Sequence, residues 1–128
     1  MMKSDAFKAA AEAKDFSAID DLFTEEPTFR SPAVFRPYEG RDAMQAVLGA
    51  VSQVFSDFRY TDQVEDGDTA VLVFQAKVGD REIDGVDILR FEGERIRELM
   101  VMIRTVRRLE AVVAEMAKRL EAMGVPAP

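Results

Sequence analysis

The chain of 128 residues contains no cysteine and no histidine, and both absences narrow its chemistry. Without cysteine there is no disulfide, no thiolate nucleophile and no cysteine metal site. Without histidine the chain lacks the commonest general base and the commonest transition-metal ligand. Carboxylate side chains could still bind a hard metal ion such as calcium or magnesium, but no stretch of the sequence has the spacing of an EF-hand loop. We therefore expect a protein that requires neither a metal nor an organic cofactor.

Excess basic charge and long apolar runs are also missing. The net charge is −7 at neutral pH, which disfavours nucleic acid as a partner because a phosphate-binding face should be basic. No apolar run approaches the length that spans a membrane. The first residues, from Met1 to Asp5, lack the apolar core of a signal peptide. The length fits one domain, so we expect a single-domain cytoplasmic protein without a membrane partner.

Helical signals dominate the first half of the sequence. Ser4 is a favourable residue for the start of a first helix, and Asp15 can cap a second that Pro27 would end. The predicted apolar face of the second helix consists of Phe16, Ile19 and Phe23. Residues 28–31 are predicted to form a short strand and residues 33–40 an ordered loop. Apolar residues at helical spacing then predict a helix from 41 to 55.

The second half is typical of strands. Segments 58–63, 69–78, 82–91 and 95–104 are rich in β-branched and aromatic residues and are separated by short turns, which predicts an antiparallel meander. Helices followed by such a meander indicate an α+β fold. Both faces of the sheet are apolar: Leu72 and Phe74 belong to one face, Val71 and Val73 to the other. The helices before the sheet can cover only one of them.

The last segment, about 106–123, is a predicted amphipathic helix. Its apolar stripe consists of Val106, Leu109, Val113, Met116, Leu120 and Met123. The stripe can pack on its own sheet, pair with the same helix of a second copy, or cover a pocket. Met100 and Met102 lie on the outer face of the sheet, so they belong either to a dimer interface or to a contact under this helix.

Three stretches resemble the SnoaL-like proteins of the nuclear transport factor 2-like superfamily, over roughly residues 4 to 105. They are Asp15-Phe16-Ser17-Ala18-Ile19-Asp20-Asp21-Leu22-Phe23, Phe29-Arg30-Ser31-Pro32 followed by Tyr38-Glu39-Gly40-Arg41, and Val86-Asp87-Ile88-Leu89-Arg90-Phe91 running into Gly93-Glu94-Arg95-Ile96. The resemblance implies a cone-shaped α+β fold in which helices pack on a strongly curved sheet around a deep apolar pocket. It also implies a homodimer through the convex face of the sheet.

Residue-by-residue comparison with two enzyme groups of this superfamily leaves their catalytic sets incomplete. In the pattern of ketosteroid isomerase, the oxyanion-hole acid corresponds to Asp87, the base to Ser31 and the tyrosine to Phe7. Serine is not a base at neutral pH without help, and phenylalanine has no donor. The strand 99–103 carries none of the charge that the epoxide hydrolases use. Catalysis by Asp87 therefore stays one alternative among several.

Asp87 is the residue on which the functional hypotheses depend, because it lies in the apolar run from Val86 to Leu89. A buried carboxylate is costly unless it is paired. Asp87 is either a neutral acid that donates a hydrogen bond to a ligand, or a structural acid satisfied by a partner such as Tyr60 or an arginine. Alternation places it on the same face as Leu89.

A set of mostly apolar residues is predicted to form the wall of the ligand pocket, and ordinary core packing is the alternative for each. The set is Phe7, Phe29, Ser31, Phe58, Tyr60, Leu72, Phe74, Asp87, Leu89, Leu99, Val101 and Ile103. The main hypothesis is a homodimeric protein that binds a small apolar molecule. The alternatives are an isomerase, cyclase or hydratase with Asp87 as acid, and a dimeric interaction module with a vestigial pocket.

Overall fold

Four helices and six strands follow one another along the chain. The computed structural model describes residues 1–126 and residue 128. The helices are α1 (Asp5–Ala13), α2 (Ile19–Leu22), α3 (Arg41–Val54) and α4 (Val106–Ala122). The strands are β1 (Phe23–Arg30), β2 (Tyr38–Glu39), β3 (Phe55–Asp66), β4 (Thr69–Val78), β5 (Arg81–Glu92) and β6 (Arg95–Arg104). The predicted α+β class is confirmed.

All six strands form one sheet in the order β2-β1-β6-β5-β4-β3. Strands β3 to β6 are the predicted antiparallel meander, and β1 adds to it in parallel beside β6. The pairing register shifts twice within β3, between Ser56 and Arg59 and between Tyr60 and Asp62. Such irregularities bend a strand and increase its twist. The sheet is therefore curved, with a concave and a convex face.

Strict alternation in β4 and β5 separates the two faces. Every second residue of β4, from Ala70 to Val78, is buried, and the residues between them are half-buried. The buried set points to the concave face, where the helices pack. The half-buried set includes Val71 and Val73 and forms the apolar middle of the convex face.

Helix α4 returns to the concave face of its own subunit. Val112 is 4% exposed and packs in a cluster with Phe55, Phe74 and Ile83. The convex face therefore has no cover within the described part of the chain, and Met102 on it is 50% exposed. The predicted stripe of α4 missed Val112 and extended too far, because Val106 and Met123 at its ends are 73% and 49% exposed.

Several predicted boundaries in the first half differ from the structure. The second helix begins at Ile19 with Ala18 as its N-cap, so Asp15 does not cap it. Residues 23–27 belong to β1 rather than to the second helix, and Tyr38–Glu39 is a short strand within the predicted loop. Pro27 is tolerated in β1 because the register with β6 shifts between Phe23 and Thr28, so the missing N–H interrupts an already irregular ladder. In the described part of the chain, no helix is long and apolar enough to cross a membrane.

Candidate functional site

A cavity of about 370 Å³ lies between the concave face of the sheet and helices α1, α3 and α4. Its wall is mostly apolar. The sheet contributes strand positions that the alternation turns inward, and α4 contributes its apolar stripe. A volume of this size is within the range of small-molecule sites.

Three polar groups on the cavity wall are engaged with the backbone. Nζ of Lys14 donates to a backbone carbonyl over 2.9 Å, and Oγ of Ser52 donates to the carbonyl one turn earlier in α3 over 2.9 Å. Oγ of Ser31 accepts from the backbone N–H two residues later over 3.0 Å. The pair formed by Asp87 and Tyr60 differs from these groups because both partners are side chains.

Asp87 lies on β5 with its carboxyl group at the cavity and is 6% exposed. The hydroxyl of Tyr60, on β3, donates to Oδ2 of Asp87 over 2.5 Å. Among residues 1–126 and 128, Oδ1 has no hydrogen-bond partner and is not fully buried, and Asp87 lies on the cavity wall. One oxygen of the carboxyl group is thus held by the protein and the other is open to a ligand.

Burial governs the ionisation of this pair. Burial raises the pKa of Asp87 to about 7, and the hydrogen bond from Tyr60 lowers it by a smaller amount. Burial, followed by the charge of Asp87, raises the pKa of Tyr60 well above its ordinary value. Near neutral pH the site therefore holds a neutral tyrosine and a carboxyl group populated in both of its forms.

Aromatic rings form the wall beside this pair. The rings of Phe58 and Tyr60 meet edge to face with centroids 4.9 Å apart, and those of Phe58 and Phe74 lie 5.0 Å apart. Aromatic rings in contact prefer particular relative orientations, so these contacts restrict the ring positions in addition to burying apolar surface. The orientation of the Tyr60 hydroxyl is therefore fixed by packing as well as by its hydrogen bond.

Comparison with known proteins assigns the family. The model of the SnoaL-like domain matches residues 5–99. The chain belongs to the SnoaL-like domain family. A search of curated proteins gave no match.

Solved structures resemble this SnoaL-like protein over nearly its whole length. A protein described as a steroid delta-isomerase from Pseudomonas aeruginosa is 34% identical, with 97% of this chain and 93% of that chain covered and a TM-score of 0.89. An uncharacterised protein with a cystatin-like fold from Silicibacter pomeroyi DSS-3 is 33% identical, with 93% and 85% covered and a TM-score of 0.88. An NTF2-like protein of unknown function from Mesorhizobium loti, 20% identical with 80% and 88% covered and a TM-score of 0.72, shares the fold.

The cone-shaped, nuclear transport factor 2-like architecture predicted for this SnoaL-like protein is confirmed. The structure places ten residues of the predicted pocket set on the cavity wall. They are Phe7, Phe29, Ser31, Phe58, Tyr60, Phe74, Asp87, Leu99, Val101 and Ile103. Leu72 and Leu89 point to the same face but have no exposed surface, because the core cluster under α1 and α3 covers them. These two residues are core residues and are not on the wall.

The two positions that correspond to catalytic groups of the isomerase pattern, Ser31 and Phe7, both face the cavity. Neither supplies a carboxylate or a phenol. Tyr60 brings a phenol to Asp87 from a different strand. In the described part of the chain, no group of three or more acidic residues is placed to hold a metal ion.

Sequence reasoning missed the contribution of the helices to the cavity wall of this SnoaL-like protein. The added wall residues on α3 and α4 include Val47, Leu48, Val51, Leu109, Val112, Val113, Met116, Leu120 and Glu121. The narrow stripe of α4 was a usable signal, since covering a pocket was one of its three predicted roles. Nothing in the spacing distinguished that role from the other two.

Proposed function

We propose that this SnoaL-like protein binds a small, mostly apolar molecule in the cavity, with Asp87 as its main polar anchor. The observation that carries the proposal is the asymmetric carboxyl group of Asp87: Oδ2 accepts from Tyr60 and Oδ1 borders the cavity. In its neutral form Asp87 donates from Oδ1 to a carbonyl or hydroxyl oxygen of the ligand. A hydrogen bond of this kind between neutral groups contributes about 0.5–1.5 kcal/mol.

The cavity volume limits the size of the ligand. An apolar cavity of about 150 Å³ takes up one benzene molecule, which has six carbon atoms. On that scale a cavity of about 370 Å³ holds about 15 non-hydrogen atoms. The proposed ligand is thus an apolar skeleton of that size with an oxygen function near one end, where it meets Asp87.

Two measurements test the binding proposal. Native mass spectrometry of the purified protein should detect a copurified small molecule. Asp87→Asn should keep the fold and weaken binding of that molecule by about tenfold, because the amide replaces the acidic donor. Asp84→Asn is the matched control, since Asp84 lies on the same strand but on the convex face, paired with Arg104. Unfolding of the Asp87→Asn protein would instead identify Asp87 as a structural acid.

A second candidate function is an enzyme with Asp87 as acid. The Asp87–Tyr60 pair favours it, because two hydrogen-bonding groups converge beside an apolar wall and the pKa of Asp87 is raised to about 7. The Pseudomonas aeruginosa relative, described as a steroid delta-isomerase, suggests the reaction to assay. The assay uses a β,γ-unsaturated ketone small enough for the cavity, with at most about 15 non-hydrogen atoms. Turnover that Asp87→Asn reduces about a hundredfold or more would favour the enzyme. Binding of the substrate without turnover would favour the binding protein.

The proposed assembly is a homodimer through the convex face of the sheet. The proposed location is the cytoplasm, where a chain without cysteine loses nothing from the absence of disulfides. The apolar middle of this face comprises Val71, Val73, Val86, Ile88, Met100 and Met102. Ion pairs flank it: Glu98 accepts from Arg30 and Arg90, and Asp84 accepts from Arg104. An apolar centre with a polar rim is typical of protein interfaces. If the chain is only an interaction module, the dimer will persist while no ligand binds.

A further inference from the structure

Gly85 lies two residues before Asp87 on β5 and faces the same side of the sheet. Its partner across the β4–β5 pair is Phe74. A Cβ atom at Gly85 would lie 2.1 Å from Cζ of Phe74 and 2.5 and 2.7 Å from its two Cε atoms. These atoms are the far end of the ring, so the ring of Phe74 leans over Gly85 and occupies the space of the missing side chain.

The position of the Phe74 ring affects Tyr60. The two rings are nearly perpendicular, at 89° with centroids 6.3 Å apart. Phe58 lies against both rings and meets Tyr60 at 87°. Phe74 also borders the cavity directly, beside Asp87. A chain of contacts therefore runs from Gly85 through Phe74 to the hydroxyl of Tyr60 and so to the carboxyl group of Asp87.

We propose that Gly85 is a positioning and specificity-determining residue of this site: its lack of a side chain lets the Phe74 ring lie against the sheet, which keeps the cavity open beside Asp87 and holds Tyr60 in place. This inference rests on the proposed binding function. It adds a residue that makes no contact with the ligand itself and acts only through Phe74.

The physical consequence of a side chain at Gly85 follows from the distances. Ordinary van der Waals contact of a Cβ atom begins at 3.4 Å, so the tip of the ring would have to move by more than an ångström. The sheet lies below the ring, and Phe55 and Phe58 lie beside it. The open direction is the cavity. A ring displaced into the cavity narrows it for large ligands first and removes the edge contact that orients Tyr60.

The test compares Gly85→Ala with the unchanged protein by two independent readouts. Carbon-13 NMR titration of the Asp87 carboxyl group in the ligand-free protein should give a higher pKa in Gly85→Ala, since the bond from Tyr60 lowers that pKa. Binding of 2-naphthol should weaken by about tenfold or more, because the displaced Phe74 ring takes up space that its second ring needs, while binding of the smaller phenol weakens less. Both probes carry a hydroxyl group on an apolar ring.

A double-mutant cycle distinguishes an effect of Gly85 that acts through the Phe74 ring from a nonspecific loss of structure. Leucine lacks the ring tip that meets the Cβ atom, so Gly85→Ala in the Phe74→Leu background should change 2-naphthol binding by less than about threefold relative to Phe74→Leu alone. Gly49→Ala is the matched control, because no atom lies within 4 Å of a Cβ there and its φ is not positive. It should leave both readouts unchanged.

The results for Gly85→Ala either support or overturn its proposed role. An unchanged Asp87 pKa together with an unchanged preference between the two probes in Gly85→Ala overturns the inference. If the unchanged protein binds neither probe, the binding proposal loses support, and the pKa readout alone still decides the role of Gly85. If Gly85→Ala does not fold, the comparison within the Phe74→Leu background decides: equal pKa values there support the inference, and a difference overturns it.

Discussion

At the scale of single residues, the burial of Asp87 determines both its contacts and its ionisation. Asp87 is 6% exposed, and the one hydrogen-bond partner of its carboxyl group in the described part of the chain is Tyr60. Desolvation disfavours the charged form, so the pKa rises to about 7. The folded protein therefore keeps this proton over a pH range in which the unfolded chain has already lost it.

This difference makes the free energy of unfolding depend on pH. Between about pH 3.8 and pH 7 the folded state holds more protons at Asp87 than the unfolded state, so stability falls as the pH rises through that range. The total loss is at most about 4 kcal/mol, and it is complete above pH 7. Asp87→Asn lacks this dependence. We expect urea unfolding of both proteins from pH 4 to pH 8 to show the Asn variant gaining relative stability toward pH 8.

The control for this pH series is again Asp84→Asn, because the side chain of Asp84 is 44% exposed in its ion pair with Arg104. It should follow the unchanged protein across the series. A constant stability difference between Asp87→Asn and the unchanged protein from pH 4 to pH 8 would show that Asp87 is already ionised at low pH in the folded state.

At the scale of secondary-structure elements, helix α4 contacts both the hydrophobic core and the cavity. Val112 in its first half is buried in the cluster with Phe74 and Ile83. Met116 and Leu120, farther along the helix, are half-buried and border the cavity. Helix α4 therefore contributes both a packed core contact at Val112 and a wall of the cavity along most of its apolar stripe.

Two valines of α4 allow a matched test of its packing on the sheet. Val112→Ala should lower the free energy of unfolding by about 1–2 kcal/mol, since it removes two buried methyl groups and leaves a void. Val106→Ala on the same helix should stay within about 0.5 kcal/mol, because Val106 is 73% exposed. Chemical denaturation measures both. Equal effects of the two substitutions would mean that α4 does not pack on the sheet in solution.

At the scale of the whole molecule, the two faces of the sheet differ in how they are covered. Helices cover the concave face, and no described residue covers the apolar middle of the convex face. A stable interface buries about 800 Å² on each partner, which a six-stranded sheet can supply. A second copy is the proposed cover.

A charge on the convex face should break the dimer. Met102→Glu places a carboxylate in the proposed interface, so light scattering after size-exclusion chromatography should give the mass of a monomer, while the unchanged protein gives that of a dimer. Met123→Glu is the control, because Met123 follows α4 on the other side of the sheet and is equally exposed, at 49% against 50% for Met102. A dimer that survives Met102→Glu would place the interface elsewhere.

The sequence by itself determined the local structure of the meander and the face on which each residue lies. Alternating apolar residues bounded by Gly-Asp and Glu-Gly turns predicted β4 and β6 with the bounds that the structure has, and placed Asp87 on the inner face. These features depend on neighbours in sequence, for which a period of two residues is sufficient information.

Only the tertiary structure decided what covers each face and which distant side chains meet. The sequence named Tyr60 as one possible partner of Asp87, but the two are 27 residues apart and their contact depends on the register and curvature of three strands. The same curvature leaves Leu72 in the core and Phe74 at the cavity, although both point to one face. The direction of α4 likewise depends on packing, because an apolar stripe fits any apolar surface of suitable shape and does not specify which one it meets.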